Sequence, residues 1–343
     1  MTSDPNAKVT ISDIARETGV SPATVSLVLR DKPGVGTETR RRVLDKAQAL
    51  GYIYTPSAQS AGSTVQSLGL VIKAGPDDLP DANNFYTPVL GGIEAVCRKN
   101  QINLMFSNMP VDDLNHPIEL PRLVTETEVD GLLLVGMDLD ASLTATIYQR
   151  GIPVVLVDAY AYGDPFDAVV SDNTAGAYRA TRYLIDNGHR RIAIIGSQPE
   201  AYPSIRERRA GYLQAMTETD LPPVFLDCHL TPPVVADCFP PFLTEHPDVT
   251  AVFGCNDEVA IAVMQSARAL GRRVPDELSV IGFDNILLAQ HVTPPLSTMR
   301  IDKMGMGRLA AQSLLNRIEF PEAGQVRVVI SPSLIERHSV RPL

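Results

Sequence analysis

A chain of 343 residues with 44% apolar and 20% charged residues is long enough for two or three domains with sizeable cores, which excludes a disordered or fibrous protein. Its net charge of −10 excludes a uniformly basic nucleic-acid binder, yet the first 60 residues hold 8 Lys and Arg against 6 Asp and Glu, so the acid excess belongs to the remainder. Cys97, Cys228, Cys238 and Cys255 are scattered, with no C-x-x-C pair and no metal-ligand spacing with the histidines, and neither a signal core nor a membrane-length apolar run is present. The expectation is a cytoplasmic protein with reduced thiols and no cofactor or metal.

The first ordered stretch is VTISDIARETGVSPATVSLVLRD, from Val9 to Asp31. Thr10 is placed to cap a helix whose first turn carries Asp13, and Ile11, Ile14 and Ala15 give that helix one apolar stripe. Gly19 stops it, because glycine tolerates the left-handed exit a tight turn needs. Ser21 then caps a second helix with Pro22 at its first position, where the missing N–H costs nothing. Val25, Val28 and Leu29 face inward, leaving Pro22, Ala23, Ser26, Leu27 and Arg30 outward. This is the plan of a helix-turn-helix, whose second helix enters a DNA major groove. A third helix is predicted from about Thr37 to Leu50, carrying Arg40, Arg41 and Arg42.

A segment of small and polar residues follows Gly51 and reads, on composition, as a linker. From Leu68 short apolar runs alternate with amphipathic helices: SLGLVIK, a helix from Pro88 to Asn100, INLMFSN, a further helix, DGLLLVG, another helix, and IPVVLVD. The pattern then restarts with a helix from Asn173 to Gly188, RIAIIGS, a helix from Ile205 to Thr217, VTAVFGCN, a helix from Glu258 to Leu270, and LSVIGFD. One more helix and a last strand around VRVVISPSLIER end the chain. Two such rounds predict two doubly wound parallel α/β lobes, with ligand bound at the carboxyl ends of the strands in the crevice between them. The polar residues just after strands are the candidates for that crevice: Asp158, Asn256, Asp257 and Asp284, with Arg206, Arg208 and Arg209 before the helix at Ala210. Each has a plainer reading as a turn former or helix cap, Asp257 above all. No G-x-G-x-x-G or Walker loop appears, and the six histidines are dispersed, so an enzyme has no support.

The motifs TISDIARETGVSPATVS and TRRRVLDKAQALGY, in this order and followed by a proline-and-alanine segment, resemble the LacI/GalR family of bacterial transcription regulators. The resemblance implies a headpiece over 1–55, a hinge over 56–66 and a periplasmic-binding-protein-like core over 67–343. The first lobe would span about 67–170 and 299–322, the second 171–298 and 323–343, with crossings near Val170, Ser297 and Glu322. It assigns DNA contact to Thr10, Ser21, Pro22, Ala23, Thr24, Ser26, Leu27 and Arg30, and a minor-groove hinge helix to Pro56, Ser57, Ala58 and Ala61. Leu27 stands where relatives often carry a guanine-reading arginine, and Ala61 where a leucine usually wedges a base step.

For the cleft the resemblance implies effector contact by Asp158, Arg208, Asn256 and Asp284, and by Phe85 and Tyr86, whose alternative is packing at a helix start. Carboxylates accept from vicinal hydroxyls and an arginine donates in a planar fork, an inventory that suits a sugar. Lys303 and Ile301 depart from the aromatic and amide residues of sugar-responsive relatives, leaving room for an acidic or phosphorylated sugar, or for no sugar at all. The implied function is a homodimeric, sequence-specific repressor bound to a pseudo-palindromic double-stranded operator and controlled by a small polar effector, a sugar. The alternatives are a corepressor-type regulator answering to a purine or other metabolite and, of a different class, a sugar-binding receptor.

Overall fold

The computed structural model describes residues 11–21, 24–25, 28, 35–50, 65–75, 84–112, 115–161, 163 and 166–343. The chain divides after Thr64 into two units. In the first, α1 (Ile11–Thr18) and α2 (Thr37–Ala49) pack through a small core of Ile14, Ala15, Val25, Val28, Val43 and Ala47. Gly19 takes φ +67°, the left-handed exit expected after α1. Ser21 Oγ accepts the Thr24 N–H at 3.1 Å, so the hydroxyl cap of the following helix forms as predicted. Lys46 Nζ reaches Glu17 at 3.0 Å and joins α2 to α1. Of the residues assigned to DNA or hinge, Thr10, Pro22, Ala23, Ser26, Leu27, Arg30, Pro56, Ser57, Ala58 and Ala61 lie outside the described residues.

In the second unit the first lobe runs β1 (Ser67–Ala74), α3 (Tyr86–Lys99), β2 (Asn103–Pro110), α4 (Arg122–Thr125), β3 (Gly131–Val135), β4 (Asp138–Leu139), α5 (Ala141–Arg150), β5 (Val154–Val157), β6 (Tyr160–Ala161) and β7 (Asp167–Ser171). The second lobe runs α6 (Asn173–Asp186), β8 (Ile192–Ile195), α7 (Pro203–Glu218), β9 (Val224–Leu226), α8 (Pro232–Glu245), β10 (Ala251–Gly254), α9 (Asp257–Ala269), β11 (Ser279–Asp284) and β12 (Ser297–Arg300). The chain then returns through α10 (Lys303–Glu319), β13 (Arg327–Ile330) and β14 (Ser333–Ile335). Each lobe holds a six-stranded sheet, in the orders β13-β7-β5-β3-β1-β2 and β14-β12-β11-β10-β8-β9. Their pairs are parallel except the antiparallel β12 and β14. The central strands β3, β5, β10 and β11 are buried along their whole lengths, as strands covered on both faces must be.

Three points differ from the sequence expectation. VRVVISPSLIER is two strands in two lobes, and the third crossing falls at Ser331 and Pro332 rather than near Glu322. The cause is local: Arg317 pairs with both Asp167 oxygens at 2.8 and 2.9 Å and also donates to the carbonyls of Pro321, Ala323 and Gly324. Asp167 in turn accepts the Val326 N–H, so the segment after α10 is folded back onto the first lobe and β13 joins β7 at its edge. The helix expected between INLMFSN and DGLLLVG is only the four-residue α4. Finally, α8 begins at Pro232 and carries Pro240 and Pro241, which disguise a helix; buried Val235, Phe239, Phe242 and Leu243 hold it in place.

Candidate effector cleft

The carboxyl ends of the two sheets face one cleft of about 200 Å³, and its lining includes Phe85, Tyr86, Asp158, Arg208, Asn256 and Asp284. All six residues that the resemblance assigned to effector contact therefore meet, whereas Arg206 lies outside this lining and Arg209 is spent on Ser197 and Asp227. The local backbone explains the two acids. Asp158 follows β5 at φ +47° and Asp284 ends β11 at φ +109°, conformations that Asp tolerates better than larger residues. Both carboxyls thereby turn off their strands.

Arg208 lies in the second turn of α7, 5% exposed, and is fully engaged along its inner edge. Its Nε donates to Asn173 Oδ1 at 3.0 Å, one terminal nitrogen to the Cys255 carbonyl at 2.6 Å and the other to Asp284 Oδ1 at 3.1 Å. The guanidinium also stacks 3.9 Å above the Phe283 ring. Five N–H groups against three bonds leave two to donate into the cleft. Burial raises the pKa of Asp284 while Arg208 and then Lys303 oppose that rise. Lys303, the first residue of α10, is itself 7% exposed. Its ammonium donates to the main-chain carbonyls of Asp284 and of Asn285, and it lies 5.6 Å from the Phe85 ring centre.

Asp158 is pushed up to about 6, chiefly by burial, with Arg208 and the Tyr86 hydrogen bond pulling the other way. The Tyr86 hydroxyl donates to Asp158 Oδ2 at 3.0 Å. Gly136, at φ +75°, leaves room for that ring, since a Cβ there would stand 2.4 Å from the hydroxyl oxygen. Phe85 meets Tyr86 edge to face at 4.9 Å, so the helix-start packing and the cleft wall are the same contact. Asn256 is the cap of α9: its Oδ1 accepts the Val259 N–H at 2.8 Å, which leaves the amide N–H₂ for the cleft.

The plainer reading of Asp257 does not hold, because Asn256 does the capping. Asp257 is completely buried, accepts from Thr298 Oγ1 at 2.5 Å and from the Ile286 N–H at 2.8 Å, and is pushed up to about 8 by burial and then by Asp284. It braces the floor. Tyr202 was not among the sequence candidates. Its hydroxyl hydrogen lies between the carbonyls of Met137 at 3.0 Å and Asp158 at 2.8 Å, joining the lobes beside the cleft. The signal available for it was position, in the loop between β8 and a proline-started helix, at the same sheet ends as the other candidates. A second bridge runs from Asn84 Nδ2 to Glu258 Oε1 at 3.3 Å.

Among the described residues no group of His, Cys, Asp and Glu is arranged to hold a metal ion, and no helix is long and apolar enough to cross a membrane.

Known proteins resemble this chain along nearly its whole length. Residues 10–55 match the family model of bacterial regulatory proteins, lacI family, and residues 181–340 that of the periplasmic binding protein-like domain. A ribose operon repressor of Haemophilus influenzae is 32% identical over 342 residues, covering 97% of this chain and 99% of that protein. The HTH-type transcriptional repressor PurR of Vibrio parahaemolyticus is 32% identical over 343 residues, with the same coverage. Among solved structures, the transcriptional regulator CelR in complex with cellobiose superposes with a TM-score of 0.69 at 26% identity, over 96% of this chain and 99% of that one. The lac repressor dimer bound to operator gives 0.69 at 22% identity, over 98% of this chain and 100% of that one, a likeness of fold.

Proposed function

The chain belongs to the LacI family of bacterial regulatory proteins, and from that premise we propose that it is a cytoplasmic homodimeric repressor whose cleft takes a neutral monosaccharide. It is a DNA-binding transcriptional regulator and not an enzyme. The observation that carries the sugar reading is the balance of groups in the cleft. Asp158 and Asp284 each spend one oxygen on Tyr86 and Arg208, leaving Oδ1 of the first and Oδ2 of the second without a partner among the described residues. Glu258 adds a further carboxylate to the lining, beside Arg208 and Lys73, while the buried Asp257 spends both oxygens on Thr298 and Ile286. A polyol donates to such carboxylates and accepts from Arg208 and the Asn256 amide. A phosphorylated or acidic sugar would face the Asp284 and Glu258 carboxylates there, which favours the neutral sugar. The cleft volume of about 200 Å³ is below the roughly 300–1,000 Å³ of drug-sized sites and supports one ring rather than two.

A purine is the second reading, favoured by the similarity to PurR repressors and by Phe85 as a stacking face. It differs in sign, since a corepressor strengthens operator binding where an inducing sugar weakens it. The deciding experiment selects bound sequences from a random DNA pool at stated salt, then titrates the enriched operator complex with monosaccharides and purine bases. An enriched inverted repeat released by a neutral monosaccharide supports the proposal. Tightening by a purine, with no sugar response, overturns it.

A further inference from the structure

Apart from the cleft, a second cavity of about 200 Å³ spans the lobes and shares only Tyr202 with it. Its lining takes His116 and Asp138 from the first lobe and Glu200, Tyr202 and Arg206 from the second. Asp138, on the short strand β4, is 6% exposed, yet its Oδ1 has no hydrogen-bond partner. Only one other buried side-chain atom among the described residues, Ser171 Oγ, shares that condition. A buried carboxylate oxygen without a partner is costly, and in native proteins such a group marks an occupant or a role. Burial raises the pKa of Asp138, while His116 and Arg206 draw it back. The Tyr202 hydroxyl, held by the Met137 and Asp158 carbonyls, walls this space off from the effector cleft.

We propose that this cavity binds a free α-amino acid, the ammonium facing Asp138 and Glu200 and the carboxylate facing Arg206. The lining selects against simpler occupants. A bare anion meets two carboxylates, a bare cation meets a guanidinium, and an uncharged polyol leaves the buried acid without its counter-charge. An ammonium brings three donors on a compact charge, and a guanidinium takes a carboxylate in a fork. Because the occupant touches Asp138 in the first lobe and Glu200 and Arg206 in the second, it favours the arrangement in which these lobes meet. Amino acid and cleft ligand are then coupled, each altering the other's affinity by one factor. The lining of this cavity is the same whether the cleft takes a sugar or a purine.

The test is calorimetric titration of the full chain with each of the standard L-amino acids, and with methylammonium chloride, sodium acetate and glycerol as single-function controls. At least one amino acid is expected to bind, with affinity reduced tenfold or more in both Asp138→Asn and Arg206→Gln, while Asp158→Asn leaves it unchanged. Asp138→Asn keeps the side-chain shape, and the exposed Arg206 gives a second variant whose folding is not at issue. The proposal is overturned if no amino acid binds, if both variants bind as well as the parent, if glycerol binds equally well, or if Asp158→Asn abolishes the binding.

Discussion

The two lobes repeat one topology but furnish the two sides of the cleft differently. The second lobe supplies a braced set: Arg208 with three hydrogen bonds and a stacked ring, Asp284 fixed by Arg208, and Asp257 locked by Thr298 and Ile286. The first lobe supplies two simple pairs, Tyr86 with Asp158 and Lys73 with Asn115, and the face of Phe85, with no braced network behind them among the described residues. Equal sheets thus carry unequal preorganisation. A braced side holds its geometry without ligand and contributes specificity, whereas a side with few ties is completed by the ligand on closure.

The largest effect is expected from breaking the braced side. Arg208→Met removes the partner of a carboxylate that is buried with it, leaving Asp284 with only Lys303 nearby to offset its burial; the cost is about 3–5 kcal/mol of stability. Calorimetry should show no sugar binding, and thermal melting a marked fall in Tm. Retained sugar affinity would show that the braced side does not recognise the ligand.

On the sparser side Asp158→Asn should weaken sugar binding by about 1.5–3 kcal/mol, the worth of a hydrogen bond to a charged group, without loss of fold. Its pH dependence sharpens the contrast. Asp158 is raised from 3.8 to about 6 in the folded protein, so the acid form is favoured by folding. The stability it contributes is full below the unfolded pKa and is lost as pH rises through about 6. Binding runs the other way, because the ligand hydroxyls donate to the ionised carboxylate. Sugar affinity of the parent should therefore fall as pH drops below about 6, and that inflection should be missing in Asp158→Asn. An unchanged pH profile in the variant would assign the titration to another group.

The asymmetry was only half legible in the sequence. Short apolar runs located β1, β2, β3, β5, β8, β10 and β11, and the strand-end rule located the acids, because both signals are local. What the pattern could not carry was pairing. Asn256 reads as a strand-end polar residue and turns out to be both cap and cleft wall, while its neighbour Asp257 is a floor brace whose partners, Thr298 and Ile286, lie far along the chain. Arg317 redirects the third crossing through Asp167, 150 residues away, and no window of sequence contains that ion pair. Prolines 240 and 241 hid α8 because helix propensity is a local quantity, and burial of Phe239 and Phe242 overrides it.

The smallest effect is expected where the two sides are tied together. Lys303 belongs to α10, which packs in the first lobe, but its ammonium is spent on two carbonyls at the end of β11 in the second. These carbonyls are those of Asp284 and Asn285, so the tie fixes the backbone from which the Asp284 carboxylate projects. Lys303→Met keeps an unbranched apolar stem while removing both donors and the cation above the Phe85 ring. The two carbonyls lose a buried partner, at about 1–3 kcal/mol, and desolvation of the ammonium, which lowers the Lys303 pKa, is relieved at the same time. The terms oppose, so Tm should move little. Sugar affinity should nevertheless fall several-fold through a faster dissociation rate, because the lobes reopen more readily when one tie between them is gone. Stopped-flow dissociation measured beside equilibrium titration separates the two. A slower association rate with unchanged dissociation would place Lys303 in ligand capture instead, and would move it from the tie between the lobes to the wall of the cleft.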